Sequence, residues 1–329
     1  MAFRTKNGSR DIFEQLVVHR PSNETLEAID GLVDWKVIRR ILAHGYDKSG
    51  AGNHGYDPVI LAKMLLLEHL YGLSDVRVAE ECADRLSFRK FLGLELCDKT
   101  PDDTTLVKFR RRMAEHGLLE VMEEALAEML HERGLSIRPG SMAIVDATLI
   151  EAAVRPPRGD KESGKKEEAR DPDADHTVKN GEPHYGYKLH AAQDVATGLI
   201  TAHEVTAASV HDTNVCEELL SGEESALLAD KGYDDSSRRE RLRARGIEPL
   251  IMGREYRGMS GKLRSVIRRF NRGISALRGR IETSFGNLKR WRRCTRAVYT
   301  TLAKVRAQMT WGIMAHNLLV AKRWREKCA

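Results

Sequence analysis

The chain is 329 residues long, 41% hydrophobic and 31% charged, which supports a buried core of one large or two modest domains. The first thirty residues hold no signal-like apolar run and nowhere do about 18 apolar residues follow one another, so no membrane partner is expected. The five cysteines are scattered without a CxxC pair, which argues against a zinc or disulfide framework and for a cytoplasmic protein. The net charge of +6 hides an asymmetry: residues 238–329 carry 25 Lys/Arg and five Asp/Glu, leaving the first 237 residues at −14.

In chain order, the first 55 residues are ambiguous apart from a helix around Thr25 to His44. From Tyr56 to about Arg133 the pattern is helical. Pro58 suits a first turn ahead of the apolar run Val59 to Leu67, Gly72-Leu73-Ser74 closes that helix, and Val76 to Cys82 reads as a short second one. Asp103-Thr104 read as the cap of a helix carrying Arg110, Arg111 and Arg112, and a further helix runs from Leu118 to His131. Residues 1–138 are thus expected to form a mostly helical N-terminal domain.

After Pro139-Gly140 the period changes. Met142 to Val154, Tyr185 to Asp194, Leu199 to Val205, Ala226 to Ala229 and Pro249 to Met252 read as strands. The stretch 155–183, rich in Pro, Gly and charge, reads as an exposed loop. Helical pattern resumes after Asp212 and dominates from Gly261. Residues 139–329 are expected to be a mixed α/β domain ending in a basic helical region. A basic excess spanning some ninety residues and interleaved with apolar positions points to a polyanion, nucleic acid first.

Three carboxylates stand out. Asp146 interrupts the apolar strand Met142 to Ile150, and Asp230 ends Ala226 to Ala229. Such a carboxylate is costly unless paired, hydrogen-bonded or bound to metal; the plainer alternative is a cap on the next turn. Further on, Leu277, Ile281 and Leu288 recur at helical spacing. At about 100° per residue, Arg278 and Glu282 lie about 40° apart and Lys289 about 20° from Glu282, so one face presents all three. The plainer alternative is an i,i+4 surface pair. Two Mg²⁺ ions about 3.5–4 Å apart activate the attacking oxygen and stabilise the leaving one in phosphodiester displacement. Hard carboxylate oxygens suit that ion, where His and Cys would suit zinc.

The segments Ile144-Val145-Asp146-Ala147-Thr148, Gly186-Tyr187-Lys188-Leu189-His190, Val210-His211-Asp212, Leu228-Ala229-Asp230-Lys231-Gly232-Tyr233 and Arg280-Ile281-Glu282-Thr283-Ser284-Phe285-Gly286-Asn287-Leu288-Lys289 add a further signal in their order and spacing. With them the chain, from roughly Tyr56 to Lys322, resembles the DDE transposases of bacterial insertion sequences, in the group that includes the insertion-sequence-five elements. The resemblance implies an RNase H-like catalytic domain behind a helical DNA-binding or dimerising domain. It places Asp146 and Asp230 on strands and Glu282 on a following helix. It also implies cleavage at transposon ends and strand transfer into target DNA. Related transposases carry a Tyr, Arg, Glu, Lys pattern around the third carboxylate; Arg278, Glu282 and Lys289 match it, and Ser275 stands where the Tyr would be.

The expectation is therefore catalysis and metal binding by Asp146, Asp230 and Glu282, with two Mg²⁺ ions for which Mn²⁺ substitutes. The partners expected are terminal inverted repeats and target DNA, bound by a homodimer or larger assembly in a bacterial or archaeal cytoplasm. DNA contacts are expected from Arg278, Lys289, Lys188, Arg290, Trp291, Arg292, Arg293, Arg110, Arg111 and Arg112. Lys188 and His190 alternate on one strand and are expected to point the same way, towards DNA or the acidic site. His211 is a candidate to orient a carboxylate, whereas Asp234 and Asp235 read as caps. Two rivals remain: a metal nuclease that cuts without joining, and a non-catalytic DNA-binding descendant of a transposase. A haloacid-type phosphatase would need an Asp where Thr148 stands.

Overall fold

A computed structural model of the chain describes residues 23–46, 55–135, 141–157 and 168–328. By its internal contacts the chain divides into two compact units, Met1–Gly134 with Ala321–Ala329, and Leu135–Val320.

Among the described residues of the first unit, seven helices follow one another: α1 (Glu24–Leu32), α2 (Trp35–Ala43), α3 (Pro58–Tyr71), α4 (Asp75–Asp84), α5 (Leu86–Leu92), α6 (Asp103–Glu115) and α7 (Leu118–Glu132). Short polar side chains start five of them. Asn23, Asp34, Asp57, Ser74 and Asp102 each accept a first-turn N–H that the helix itself leaves unpaired. Gly72 and Gly93 stop α3 and α5 in the left-handed conformation. Apart from Ile60 and Tyr71, every residue of α3 is buried, so this helix is the centre of the unit. Its Lys63 donates to Asp30 Oδ1 (2.6 Å) and the Phe91 carbonyl (2.7 Å), which satisfies the buried ammonium.

The second unit is built on a mixed sheet of β1 (Met142–Glu151), β2 (Asp175–Lys179), β3 (Glu182–Asp194), β4 (Ile200–Ala207), β5 (Ala226–Ala229) and β6 (Glu248–Ile251). Strand β3 pairs antiparallel with β1, and β4 with β3, while β5 runs parallel to β1 and β6 parallel to β5. The resulting order β4-β3-β1-β5-β6 is the RNase H-like arrangement that the resemblance implies. Strand β2 forms a hairpin with the first five residues of β3.

Two layers cover the sheet. On one face Ile144, Ile150, Leu189 and Ala191 pack with Ile281, Phe285 and Leu288 of α9 (Gly261–Trp291) and with Met309 and Ile313 of α10 (Leu302–Cys328). On the other face Ala143, Val145 and Ala192 pack with Val215, Leu219 and Leu242, the last from α8 (Ser236–Ala244). Strand alternation then assigns Asp146, which shares parity with Ile144 and Ile150, to the α9 face.

The structure departs from the sequence reading at several places. The helix expected over Thr25 to His44 is two, broken at Val33-Asp34, and α5 was not expected. Asp102, not Asp103, caps α6. Part of the expected loop 155–183 is β2, which turns at Asn180-Gly181 with φ of 54° and 84°; residues 158–167 of that stretch lie outside those described. The helical pattern after Asp212 gives only two 3₁₀ turns, Asp212–Asn214 and Lys231–Tyr233, before α8. Among the described residues no helix is long and apolar enough to cross a membrane.

Candidate active site

Register brings the first two acids together. Strands β1 and β5 pair as Ala143↔Leu227 and Ile144↔Leu228, so continuing two places past that last pair sets Asp146 beside Asp230. Strand β5 ends at Ala229, and Asp230 caps a short 3₁₀ turn, its Oδ1 accepting the Lys231 N–H at 2.7 Å. Helix α9 crosses the same end of the sheet through its buried stripe of Ile274, Ile281, Phe285 and Leu288, with Arg278 and Glu282 beside that stripe.

All three carboxylates meet one guanidinium. Arg278 Nη2 donates to Asp146 Oδ2 (2.9 Å) and to Glu282 Oε1 (3.1 Å), and Arg278 Nη1 lies 3.7 Å from Asp230 Oδ1. The Asp146 and Glu282 oxygens are therefore no further apart than the sum of their two contacts with Nη2. The side chains of Arg278 and Asp146 are 13% and 18% exposed, while Asp230 and Glu282 open to solvent at 39% and 63%. Burial pushes the Asp146 carboxyl above its ordinary value, against the pull of Arg278 and the Ala147 N–H. Burial also works against the charge of Arg278, yet Asp146, Asp230 and Glu282 together hold that charge more firmly than on a free arginine.

Because the guanidinium stands between the acids, no group of three or more His, Cys, Asp or Glu closes on a common point among the described residues. The donor set nonetheless fits a hard divalent cation: three carboxylates without His or Cys, converging where a positive charge already sits.

The other candidates fall into different surroundings. Lys289, half-buried, faces Lys179 and Glu151; burial and then Lys179 lower the pKa of its ammonium, and Glu151 works against them. Arg290 lies over the Trp291 ring at 4.8 Å, and that tryptophan is 52% exposed at the end of α9. Arg292 and Arg293 are half-buried in the turn that follows, where Gln308 donates to the Arg293 carbonyl at 2.6 Å.

Four residues stand elsewhere than the sequence reading placed them. Lys188 pairs across the sheet with Leu149, and His190 with Ala147, so both lie on the face opposite Asp146. Lys188 Nζ donates to the Val210 carbonyl (2.8 Å) and pairs with Asp212 Oδ1 (2.8 Å), so its charge is met within the protein. His211 orients no carboxylate in these contacts; it caps the 3₁₀ turn, with Nδ1 2.7 Å from Thr213 Oγ1. Arg110 is held by Glu68 and Asp75 and is 16% exposed, because a cation on the inward face of α6 meets two acids there. Arg111 is exposed and pairs with Glu115 at 3.3 Å, and Arg112 lies over the Tyr46 ring at 4.2 Å. Asp235 caps α8 as read, and Asp234 pairs with Arg239 at 2.8 Å.

Lys179, at the end of β2, was not singled out from sequence. It is near enough to Asp146 to help hold that carboxyl down. Asn180-Gly181 was the available signal, since that dipeptide favours a two-residue hairpin turn.

Asp146 within β1, Asp230 just past the end of the adjacent parallel strand β5 and Glu282 on the crossing helix α9 thus form one acidic site on an RNase H-like sheet. Sequence comparison supplies the class. The family described as Transposase DDE domain matches residues 138–318, more than half of the chain, and the chain belongs to that family of DNA transposases. A second description, Transposase domain (DUF772), matches residues 14–112. The family generally depends on a divalent metal. Among solved structures, the piggyBac transposase synaptic complex with hairpin DNA is 10% identical with a TM-score of 0.48, covering 95% of this chain and 77% of that one. The pre-cleavage Mos1 transpososome is 11% identical with a TM-score of 0.20, covering 94% of this chain and 97% of that one. The Mos1 strand transfer complex is 13% identical with a TM-score of 0.20, covering 82% and 89%.

Proposed function

We propose that this transposase cuts DNA at transposon ends and joins the freed 3′-hydroxyl to target DNA at a centre formed by Asp146, Asp230 and Glu282. The observation that carries this reading is the meeting of the three carboxylates, from β1, the end of β5 and α9, on Arg278. Two Mg²⁺ ions held by these carboxylates would activate the attacking oxygen and stabilise the leaving one, with Mn²⁺ as a substitute. Asp146 is fixed by strand pairing on β1, which suits the role of the shared ligand. Glu282, the most exposed of the three, is the one best able to follow the DNA as it enters. Arg278 supports the reading twice: it keeps the acids together before DNA arrives, and it has donors suited to a phosphate once they are released. Lys289, Arg290 and Trp291 extend the cationic face along α9, with Trp291 available to stack on an unpaired base.

The helical unit is proposed to bind DNA or to dimerise, since both transposon ends must be held together, and the whole to act in the cytoplasm. The test is metal-dependent nicking followed by joining of pre-cut ends, on duplexes from the DNA flanking the gene. Products longer than either substrate are expected, and Asp146→Asn, Asp230→Asn and Glu282→Gln should each reduce nicking by more than about a hundredfold. Nicking without longer products would make the protein a nuclease, and nicking that persists in all three variants would remove the proposed centre.

A further inference from the structure

Beside the acidic centre lies a cleft of about 150 Å³ whose lining includes Ala147, Thr148, Thr177, Lys179, Lys188 and Asp212. Two of these, Ala147 and Thr148, directly follow Asp146 on β1, so the cleft adjoins the centre through the strand itself. The other wall comes from the β2–β3 hairpin, whose tip bends back to the middle of β1.

The two lysines in the cleft differ. Lys188 is neutralised internally by Asp212 and the Val210 carbonyl. The Lys179 side chain is exposed and makes no ion pair or hydrogen bond among the described residues, although its charge acts on Asp146 and on Lys289. Of the acids around it, Asp146 pairs with Arg278 and Asp212 with Lys188. Lys179 thus brings a charge with no internal partner to the wall of the cleft, where an anion would meet it.

The hairpin is made to hold such a cation in place. Lys179 immediately precedes the Asn180-Gly181 turn, and both turn residues have positive φ, 54° and 84°, as a tight two-residue hairpin requires. Register pairs Lys179 directly with Glu182 across that turn. A cation on a two-residue turn gives up less freedom on binding than one on a long loop.

We infer that Lys179 binds a backbone phosphate of the DNA strand next to the one being cut, making the β2–β3 hairpin part of the substrate channel. The inference rests on the reading of Asp146, Asp230 and Glu282 as the cutting centre, and its ligand is a phosphodiester contacted without regard to base. Thr148 and Thr177, also in the lining, carry hydroxyls of the kind such a phosphate accepts from.

The test is DNA binding by the full chain over a potassium chloride series, with a labelled duplex carrying a recessed 3′ end, for the wild type, Lys179→Ala and Lys179→Arg. Each lost phosphate contact lowers the slope of log affinity against log salt by about 0.9, so Lys179→Ala should bind with a slope shallower by about one. At moderate salt its affinity should fall about tenfold, and Lys179→Arg should restore both values. A merely structural role would lower the melting temperature and leave the slope unchanged. An unchanged slope in Lys179→Ala, or failure of Lys179→Arg to restore it, overturns the proposal. Nicking by Asp146→Asn is measured alongside. If the wild type nicks no DNA with any divalent metal, the cutting reading fails, yet the salt slopes still decide whether Lys179 holds phosphate.

Discussion

One nitrogen of Arg278, Nη2, joins Asp146 at 2.9 Å to Glu282 at 3.1 Å, tying a strand carboxylate to a helix carboxylate across 132 positions of sequence for the first contact. The guanidinium is the one cation in contact with all three carboxylates among the described residues, so Arg278 carries most of their charge balance. Arg278→Gln should leave Asp146 without a charged partner and cost about 1–3 kcal/mol, the exposure of Glu282 keeping the loss at the lower end. Mg²⁺ should then raise the melting temperature of Arg278→Gln more than that of the wild type, because the ion replaces the missing charge. Equal shifts in a thermal melt would show that Arg278 does not balance these acids.

Asp171 is fully buried and joins two elements. Its Oδ1 accepts the Tyr187 hydroxyl at 2.6 Å and the Thr301 N–H at 3.1 Å, while Asp173 Oδ2 accepts the Leu302 N–H at 2.8 Å at the start of α10. Burial and the neighbouring Asp171 push the Tyr187 phenol well above its ordinary value, so it stays a donor. Tyr187→Phe should cost about 1–3 kcal/mol in urea unfolding by leaving a buried acceptor short of a partner. Asp171→Asn, which can keep both contacts, should cost less than Asp171→Ala.

Gly186 is the position where only glycine fits. It is paired to Glu151 on one side and Asp175 on the other, with φ of 153°, and an added Cβ would stand 2.2 Å from the Ile150 carbonyl oxygen and 2.6 Å from the Ala152 nitrogen. Both obstacles are backbone, so neither can rotate aside. Gly186→Ala should destabilise the second unit by about 3 kcal/mol or more and loosen the end of β1. Chemical denaturation with a native-like midpoint would contradict this.

Two histidines set an acid limit. Burial pushes His190 and His203 down to about 4, with Lys188 adding to the effect at the first and Arg306 at the second. Between pH ~6.5 and ~4 the unfolded chain takes up protons at these sites that the folded chain refuses. Their contribution is therefore present above the unfolded value and is lost as pH falls towards 4, on the order of 3 kcal/mol for each. His203→Gln, which can keep the contact now 2.9 Å from Thr310 Oγ1, should flatten part of that slope in urea midpoints measured across the window.

Much of the site was legible because its signals are local. Asp146 and Asp230 stood out as charges in apolar strands, and the spacing of Arg278, Glu282 and Lys289 follows from the turn of one helix. The hairpin at Asn180-Gly181 was hidden by the polar composition of 155–183, which looks like loop when strand β2 is short and mostly exposed. The inward turn of Arg110 was hidden for the opposite reason. Three consecutive arginines on a helix point in three directions, and only packing tells which of them meets acid.

Local signals in the sequence were enough to find most helices, to sort strand positions by face and to pick out Asp146, Asp230 and Glu282 as candidates, since each depends on neighbours within a few residues. Tertiary structure decided that the three acids converge on Arg278, that Lys188 and His190 face away from Asp146, and that Lys179 returns beside the centre. Those relationships join elements far apart in the chain, and they are set by strand register and helix packing, which no local period encodes.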